Sequence, residues 1–354
     1  MKAIVLTGGG SAGHVTPNIA LIPHLQAKGL RVHYLGTKEG IESKLIAGQD
    51  DVEYHAVRSG KLRRYFSWKN FSDPFRVAAG FFDARKALGE IKPAAVFSKG
   101  GFVSVPVVMA AKSRRIPVVL HESDYTPGLA NKIAIRFAST ICVTFEDTLA
   151  HTRGKGVFTG TPIRGGLTGG SREKGLEFCG FNGEKPVLLI MGGSLGAQAL
   201  NDELARSLDA LLEVFDIAHL CGRGKLNAGL SDKAGYRQFE YVDEELSDLF
   251  AATDIAVSRA GANAVFEFLA LAIPAVLIPL PLTASRGDQL QNAAYFEKRG
   301  YAVQLLQENI DRLTETVIEM YENREKYVAA MKACENADGT RNVLEQIMKA
   351  AGEL

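Results

Sequence analysis

Two stretches of the chain share one architecture. "KAIVLTGGGSAGHVTPNIALIPHLQAKG" (2–29) and "KPVLLIMGGSLGAQALNDELARSLDALL" (185–212) each read as an apolar strand, a glycine turn with a serine, and a helix. Around each, the alternation continues. "RVHYLGT", "AAVFSKG", "PVVLHE" and "TICVTF" follow the first as strands, with "GLANKIAIRFA" as a further helix. "DIAHLCG", "FEYV", "DIAVSRAG", "PAVLIPL" and "YAVQLL" follow the second, with helices at "EELSDLFAATD", "ANAVFEFLALA" and "QLQNAAYFEKRG". Near-continuous apolar strands separated by helices imply parallel sheets covered on both faces. The fold class expected is therefore α/β, with two Rossmann-like, doubly wound parallel-sheet domains.

A length of 354 residues suits two such domains. The best linker is "VFTGTPIRGGLTGGSREKG" (157–175), rich in glycine and charge. The domains expected are 1–161 and 162–338, with an amphipathic helix at 339–354 that packs back on the first. A formal net charge of +1 gives no global attraction to nucleic acid, which is not expected as a partner. Cys142, Cys179, Cys221 and Cys334 lie far apart and read as reduced core residues. The N-terminus has too short an apolar run for a signal peptide, and prolines 274, 279 and 281 break the uncharged stretch Phe268–Ser285, so no membrane span is expected.

Ligands of doubly wound sheets bind outside the carboxyl ends of the strands. If the domains face each other, both glycine loops line one cleft. Glycines between strand and helix let the backbone approach an anion, and the helix N-terminus adds N–H groups and a favourable dipole. The loop with Ser194 suits a diphosphate. Neither loop is a Walker A motif, and taken alone either one serves tight helix–strand packing equally well. Glu267 in "SRAGANAVFEFLA" can accept from both hydroxyls of a ribose, or be an exposed helix glutamate. Gln289 and Asn292 suit sugar hydroxyls, and Asp288 suits N-capping. Arg164 can grip a diphosphate and stabilise charge on a leaving phosphate, or be solvated in the linker. The chain has no DxD and no histidine pair with metal-ligand spacing, so no metal or other cofactor is expected.

The segment Arg58–Phe82 interleaves Arg58, Lys61, Arg63, Arg64 and Lys69 with Tyr65, Phe66, Trp68 and Phe71, then reaches Phe75, Phe81 and Phe82. Cations beside aromatics suit an anionic membrane surface or single-stranded nucleic acid. The plain alternative is a loop and helix whose aromatics belong to the core.

Together, "GGGSAGHVTP", "FSKGGFVSVP", "HESDYTPGLANK", "TGTPIR", "GGSLGAQALN", "SRAGANAVFE" and "DQLQNA" resemble the MurG family of bacterial peptidoglycan glycosyltransferases. The resemblance spans essentially the whole chain. It implies a GT-B fold and an inverting transfer of N-acetylglucosamine from UDP-N-acetylglucosamine to the 4-hydroxyl of the muramoyl sugar of lipid I, giving lipid II and UDP. It also implies a peripheral position on the cytoplasmic side of the cell membrane, against an anionic inner-membrane surface, and cell-wall synthesis proteins as partners.

By position, the resemblance assigns the diphosphate to Ser194 and Arg164, the uracil to the backbone of Val242, and ribose and phosphate to Ala262, Asn263, Ala264, Val265, Phe266 and Glu267. Gln289 takes the sugar, and Ser11, Ala12 and Gly13 lie at the reaction centre. Departures are Asp124 where the family has an amide, Thr161 for an asparagine, Asp288 for a glutamine, and Ser11 and Ala12 for threonine and glycine. An inverting displacement needs a base for the acceptor proton. His14 is the candidate, or it only hydrogen-bonds the loop or the acceptor phosphate; Glu122 or Asp124 could serve instead. The rival readings are another UDP-sugar enzyme of this fold, such as a 2-epimerase or a glycolipid glycosyltransferase, and a non-catalytic sugar-nucleotide or membrane-binding module.

Overall fold

The structure is a computed structural model that describes residues 2–60, 69–192, 197–231 and 233–353, residues 69–74 by their backbone alone. Its contacts divide the chain into two units, Met1–Arg164 with Asp338–Leu354, and Gly165–Ala337.

The first unit runs β1 (Ala3–Thr7), α1 (Thr16–Ala27), β2 (Arg31–Gly36), α2 (Ile41–Ile46), β3 (Val52–Ala56), α3 (Lys69–Ile91), β4 (Ala95–Ser98), α4 (Ser104–Ser113), β5 (Val118–Glu122), α5 (Leu129–Ala134), β6 (Thr140–Val143) and β7 (Gly156–Phe158). All the strands pair in parallel, in the order β3-β2-β1-β4-β5-β6-β7. The order reverses direction between β1 and β4. Every residue of β1, β4 and β5 is buried, as a sheet covered on both faces requires, whereas edge strand β3 is half-exposed. Two strands were not legible in the sequence pattern. β3 is short and polar, and β7 occupies the start of the glycine-rich stretch assigned to the linker, where pairing with β6 outweighs weak local propensity.

The second unit runs α6 (Arg172–Cys179), β8 (Val187–Met191), α7 (Gln198–Leu212), β9 (Asp216–Leu220), β10 (Tyr236–Phe239), α8 (Leu246–Ala252), β11 (Ile255–Ser258), α9 (Ala262–Leu271), β12 (Ala275–Leu277), α10 (Asp288–Lys298), β13 (Ala302–Gln304), α11 (Leu313–Glu322) and α12 (Arg324–Lys332). Its parallel order is β10-β9-β8-β11-β12-β13, reversing between β8 and β11. The strand expected at "FEYV" lies earlier, because Gly235 at φ +75° turns the chain so that Tyr236 enters register with Ile217.

The last helix, α13 (Thr340–Ala350), belongs to the first unit. Val343, Ile347 and Met348 share its core with Ile4, Leu6 and Leu21, an apolar stripe at helical spacing. Its start is tied to the segment after β7: the Ile163 N–H donates to the Thr340 hydroxyl at 3.2 Å, and the Asn342 amide donates to the Thr159 carbonyl at 3.2 Å. Cys142, Cys179 and Cys221 are buried free thiols, and Cys334 is half-buried. Among the described residues, no helix is long and apolar enough to cross a membrane.

Candidate active site

In the first unit, the loop after β1 is shaped from below. A side chain at Gly8 would place its Cβ 2.5 Å from the His14 carbonyl oxygen and 3.2 Å from Lys99 Cβ, so only glycine fits. The fully buried Glu42 carboxylate, on α2, accepts the Gly10 N–H at 3.2 Å, the Thr37 N–H at 3.1 Å and the Thr37 hydroxyl at 2.5 Å. A carboxylate with three donors is a stable anchor for backbone that would otherwise be floppy. From the other side, the Tyr34 hydroxyl donates to the Gly8 carbonyl at 2.7 Å, and the Asn18 amide donates to the His14 carbonyl at 3.2 Å. The loop then presents Ser11, Ala12 and Gly13 to solvent on a 3₁₀ turn that ends at the half-buried His14. Thr16 and Pro17 open α1, as a proline in the first helical turn should.

The loops after β4 and β5 complete this end of the sheet. Gly101, at φ +80°, lies against the Gly9 carbonyl and the imidazole of His14, whose Cδ2 would sit 3.1 Å from a Cβ there. Lys99 is fully buried. Its ammonium donates to His121 Nδ1 at 2.8 Å and to the Ser123 hydroxyl. His121 Nε2 lies 2.9 Å from the Gly160 carbonyl, which can only accept, so Nε2 carries the proton and Nδ1 is free to accept from the lysine. Burial and the neighbouring ammonium hold this imidazole neutral, well below its usual range.

Glu122 is 3% exposed. Its carboxylate accepts the Asp124 N–H at 2.9 Å and the Asn131 amide at 2.8 Å. Burial first, then the Asp124 charge, pushes its pKa up to about 7, against the pull of those hydrogen bonds and Lys99. Lys99 is pushed down by the same burial, opposed by Glu122 and Asp124. Asp124 itself is half-buried.

The second unit holds a cavity of about 680 Å³ at its own switch point, within the usual range for small-ligand sites. Met191 and Gly192 enter it from the end of β8, Ser258, Arg259 and Gly261 from the end of β11. The N-terminal residues of three helices also line it: Gln198 and Ala199 of α7, Ala264 of α9 and Gln289 of α10. Helix N-termini carry exposed N–H groups and positive potential. Arg259 is the one charged residue among the described lining residues, and none is acidic. Its guanidinium donates to the Ile278 carbonyl at 3.0 Å and to Gln307 Oε1 at 2.7 Å. Gln289 is oriented by accepting the Leu280 N–H at 3.0 Å, and the buried Asn292 amide donates to the Ala260 carbonyl at 3.0 Å.

The expected site residues distribute unevenly. Ala264 and Gln289 line the cavity, with Ala262 and Asn263 half-buried in the same first turn of α9. Val265 and Phe266 are core: Phe266 packs edge-to-face on Phe296 at 5.2 Å, leaving only backbone for a ligand. Glu267 is 4% exposed, which removes the exposed-glutamate reading, and it is absent from the cavity lining. Val242 is buried beyond β10, and Arg164 is half-buried at the last residue of the first unit's main segment. Ser194 lies outside the described residues, as do Lys61, Arg63, Arg64, Tyr65, Phe66 and Trp68 and the side chains of Lys69 and Phe71. Sequence reasoning missed Arg259, Lys99 and Glu42. The first two have a visible signal, a cation where a strand meets a glycine turn; Glu42 has none.

The glycosyltransferase family 28 N-terminal domain matches residues 4–143, and the glycosyltransferase family 28 C-terminal domain matches residues 187–347. The UDP-N-acetylglucosamine--N-acetylmuramyl-(pentapeptide) pyrophosphoryl-undecaprenol N-acetylglucosamine transferase of Clostridium botulinum (strain Alaska E43 / Type E3) is 52% identical over 353 residues, 99% of this chain and 98% of that protein. A Bacillus cereus protein of the same name, numbered 2, is also 52% identical, over 99% of this chain and all of its own length. The crystal structure of Acinetobacter baumannii MurG is 27% identical and superposes with a TM-score of 0.77 over 99% of this chain and 100% of that one. The two-sheet architecture is that of the GT-B glycosyltransferases. With both family domains matched in order and half of all residues shared along the full length, the chain belongs to glycosyltransferase family 28, within its MurG family.

Proposed function

We propose that this protein transfers N-acetylglucosamine from UDP-N-acetylglucosamine to the 4-hydroxyl of the muramoyl sugar of lipid I, with inversion, releasing UDP and lipid II. The observation that carries the reading is the second unit's cavity, where three helix N-termini and Arg259 meet with no carboxylate among the described lining residues. That is an environment for a nucleotide diphosphate.

In the reaction, the acceptor oxygen attacks the anomeric carbon as the bond from that carbon to the diphosphate breaks. Charge developing on the leaving diphosphate is stabilised by the helix N-termini, with Ser194 and Arg164 as further donors. Gln289 meets the sugar, the first turn of α9 meets phosphate and ribose, and Val242 offers backbone to the uracil. His14 takes the acceptor proton: it stands half-buried at the end of an exposed loop, and imidazole is the side chain most often used as a general base. Glu122 is reassigned as a positioning residue: both its oxygens are engaged by Asp124 and Asn131, so it shapes the loop that displays Asp124.

The protein works on the cytoplasmic face of the membrane, as a peripheral enzyme of peptidoglycan synthesis. Support comes from α3, where Phe75 is 78% and Phe82 66% exposed, seven residues apart on one helix face, beside the exposed Arg76 and Lys86.

Incubation with UDP-N-acetylglucosamine and a short-chain lipid I analogue should yield UDP and the disaccharide product by mass spectrometry. His14→Ala should lower kcat by roughly 10²–10⁴-fold with little change in donor KM. Donor bound without either product would direct attention to a different acceptor.

A further inference from the structure

Far from either glycine loop in sequence, three side chains converge on the outer strands of the first unit's sheet. β2 and β3 pair in parallel with His33 opposite Glu53 and Leu35 opposite His55. Side chains alternate along a strand, so Glu53 and His55 share the face of His33. His33 Nδ1 lies 3.1 Å from His55 Nε2 and 3.4 Å from Glu53 Oε2, and His55 Nε2 lies 3.8 Å from the same oxygen.

These separations have a specific meaning. A tetrahedral ion with bonds of about 2.0–2.1 Å holds its ligand atoms about 3.3–3.4 Å apart. The three donor atoms therefore stand close to three corners of one tetrahedron, with each residue supplying one of them. Burial makes the site firm on one side, where His33 is 4% exposed. The Glu53 side chain is 69% and the His55 side chain 28% exposed, so a fourth position is open to water.

We propose that His33, Glu53 and His55 bind a divalent transition cation, with zinc as the best match, and that the ion clips edge strand β3 to β2. Two imidazoles and one carboxylate suit zinc over magnesium or calcium, which favour all-oxygen sites. The ion bridges strands that otherwise meet through backbone bonds and a half-exposed face. Its role is structural, distinct from the glycosyl transfer.

The test uses the full-length protein stripped of metal by chelator. Zn²⁺ alone is titrated by calorimetry and by thermal unfolding, with Mg²⁺ as the control ion. One Zn²⁺ equivalent should bind the site and raise the unfolding temperature, while Mg²⁺ does neither. His55→Ala and, independently, the exposed Glu53→Ala should each weaken that binding at least tenfold and remove the thermal shift, with circular dichroism and UDP affinity unchanged. Zn²⁺ affinity and stoichiometry equal in the wild type and in a folded Glu53→Ala variant would overturn the assignment, as would a wild type that binds none.

Discussion

The Lys99 ammonium donates to His121 Nδ1 across 2.8 Å, while Nε2 of the same ring faces the Gly160 carbonyl at 2.9 Å. One relay thus ties together the chain beyond β4, the end of β5 and the segment beyond β7. Lys99→Met keeps the length of the side chain and removes the donor. His121 Nδ1 and the Ser123 hydroxyl then lose their partner in a buried setting, and each such loss costs about 1–3 kcal/mol. Removing a buried charge offsets part of this. The expected result is a net loss of roughly 1–3 kcal/mol in urea unfolding. An unchanged midpoint would mean that the relay contributes nothing to the fold.

Glu122 makes stability depend on pH. Its folded pKa, about 7, lies above the ordinary value of 4.5, so the folded state favours the protonated form. The stability this group contributes is complete below pH 4.5 and is lost as pH rises through 7. Glu122→Gln cannot titrate. Relative to wild type it should therefore gain stability between pH 4.5 and 7, on the order of 3 kcal/mol. Parallel curves for the two proteins across that window would refute the shift.

Gly101 joins stability to catalysis. Alanine there must adopt φ +80° and drive its methyl against the Gly9 carbonyl and the His14 ring. Gly101→Ala should cost about 1–3 kcal/mol and lower turnover by displacing His14. UDP affinity, set by the second unit, should stay within about twofold, a change of about 0.4 kcal/mol. Unimpaired turnover in this variant would argue against His14 as the base.

Ala264 lines the cavity from the first turn of α9 and is half-buried. Ala264→Phe should occupy cavity space and weaken UDP binding at least tenfold by calorimetry. Thermal stability should change little, because the new ring extends into open volume and displaces no core residue. Normal UDP affinity would move the nucleotide elsewhere.

Membrane docking is tested by Phe75→Ser with Phe82→Ser. Phe81 is a poorer target, because it is half-buried against the first unit's core. The double variant should lose most of its sedimentation with anionic vesicles and keep its UDP affinity. Full sedimentation would remove α3 from the membrane contact.

Much of the fold was legible because parallel strands buried on both faces must be apolar almost throughout. β1 and β8 announce themselves in this way, and the glycines that follow mark where chain and ligand need space. The half-exposed edge strand β3 carries no such signature, since one side of it needs no apolar cover.

The site divides along the same line. Its local parts, the glycine turns, His14 and Gln289, could be read from neighbours in sequence. Its supports could not: Glu42 reaches Gly10 from 32 residues away and Lys99 meets His121 across 22, just as, away from the site, His33 meets His55 across another 22. Sequence by itself determined two α/β units and the family, and pointed to the loops proposed to carry their chemistry. Tertiary structure alone decided which buried charges hold those loops, and which histidines of β2 and β3 share a carboxylate. Hydrophobic periodicity is written residue by residue along a strand, whereas polar partnership depends on strand order and register, which arise only when the sheet closes.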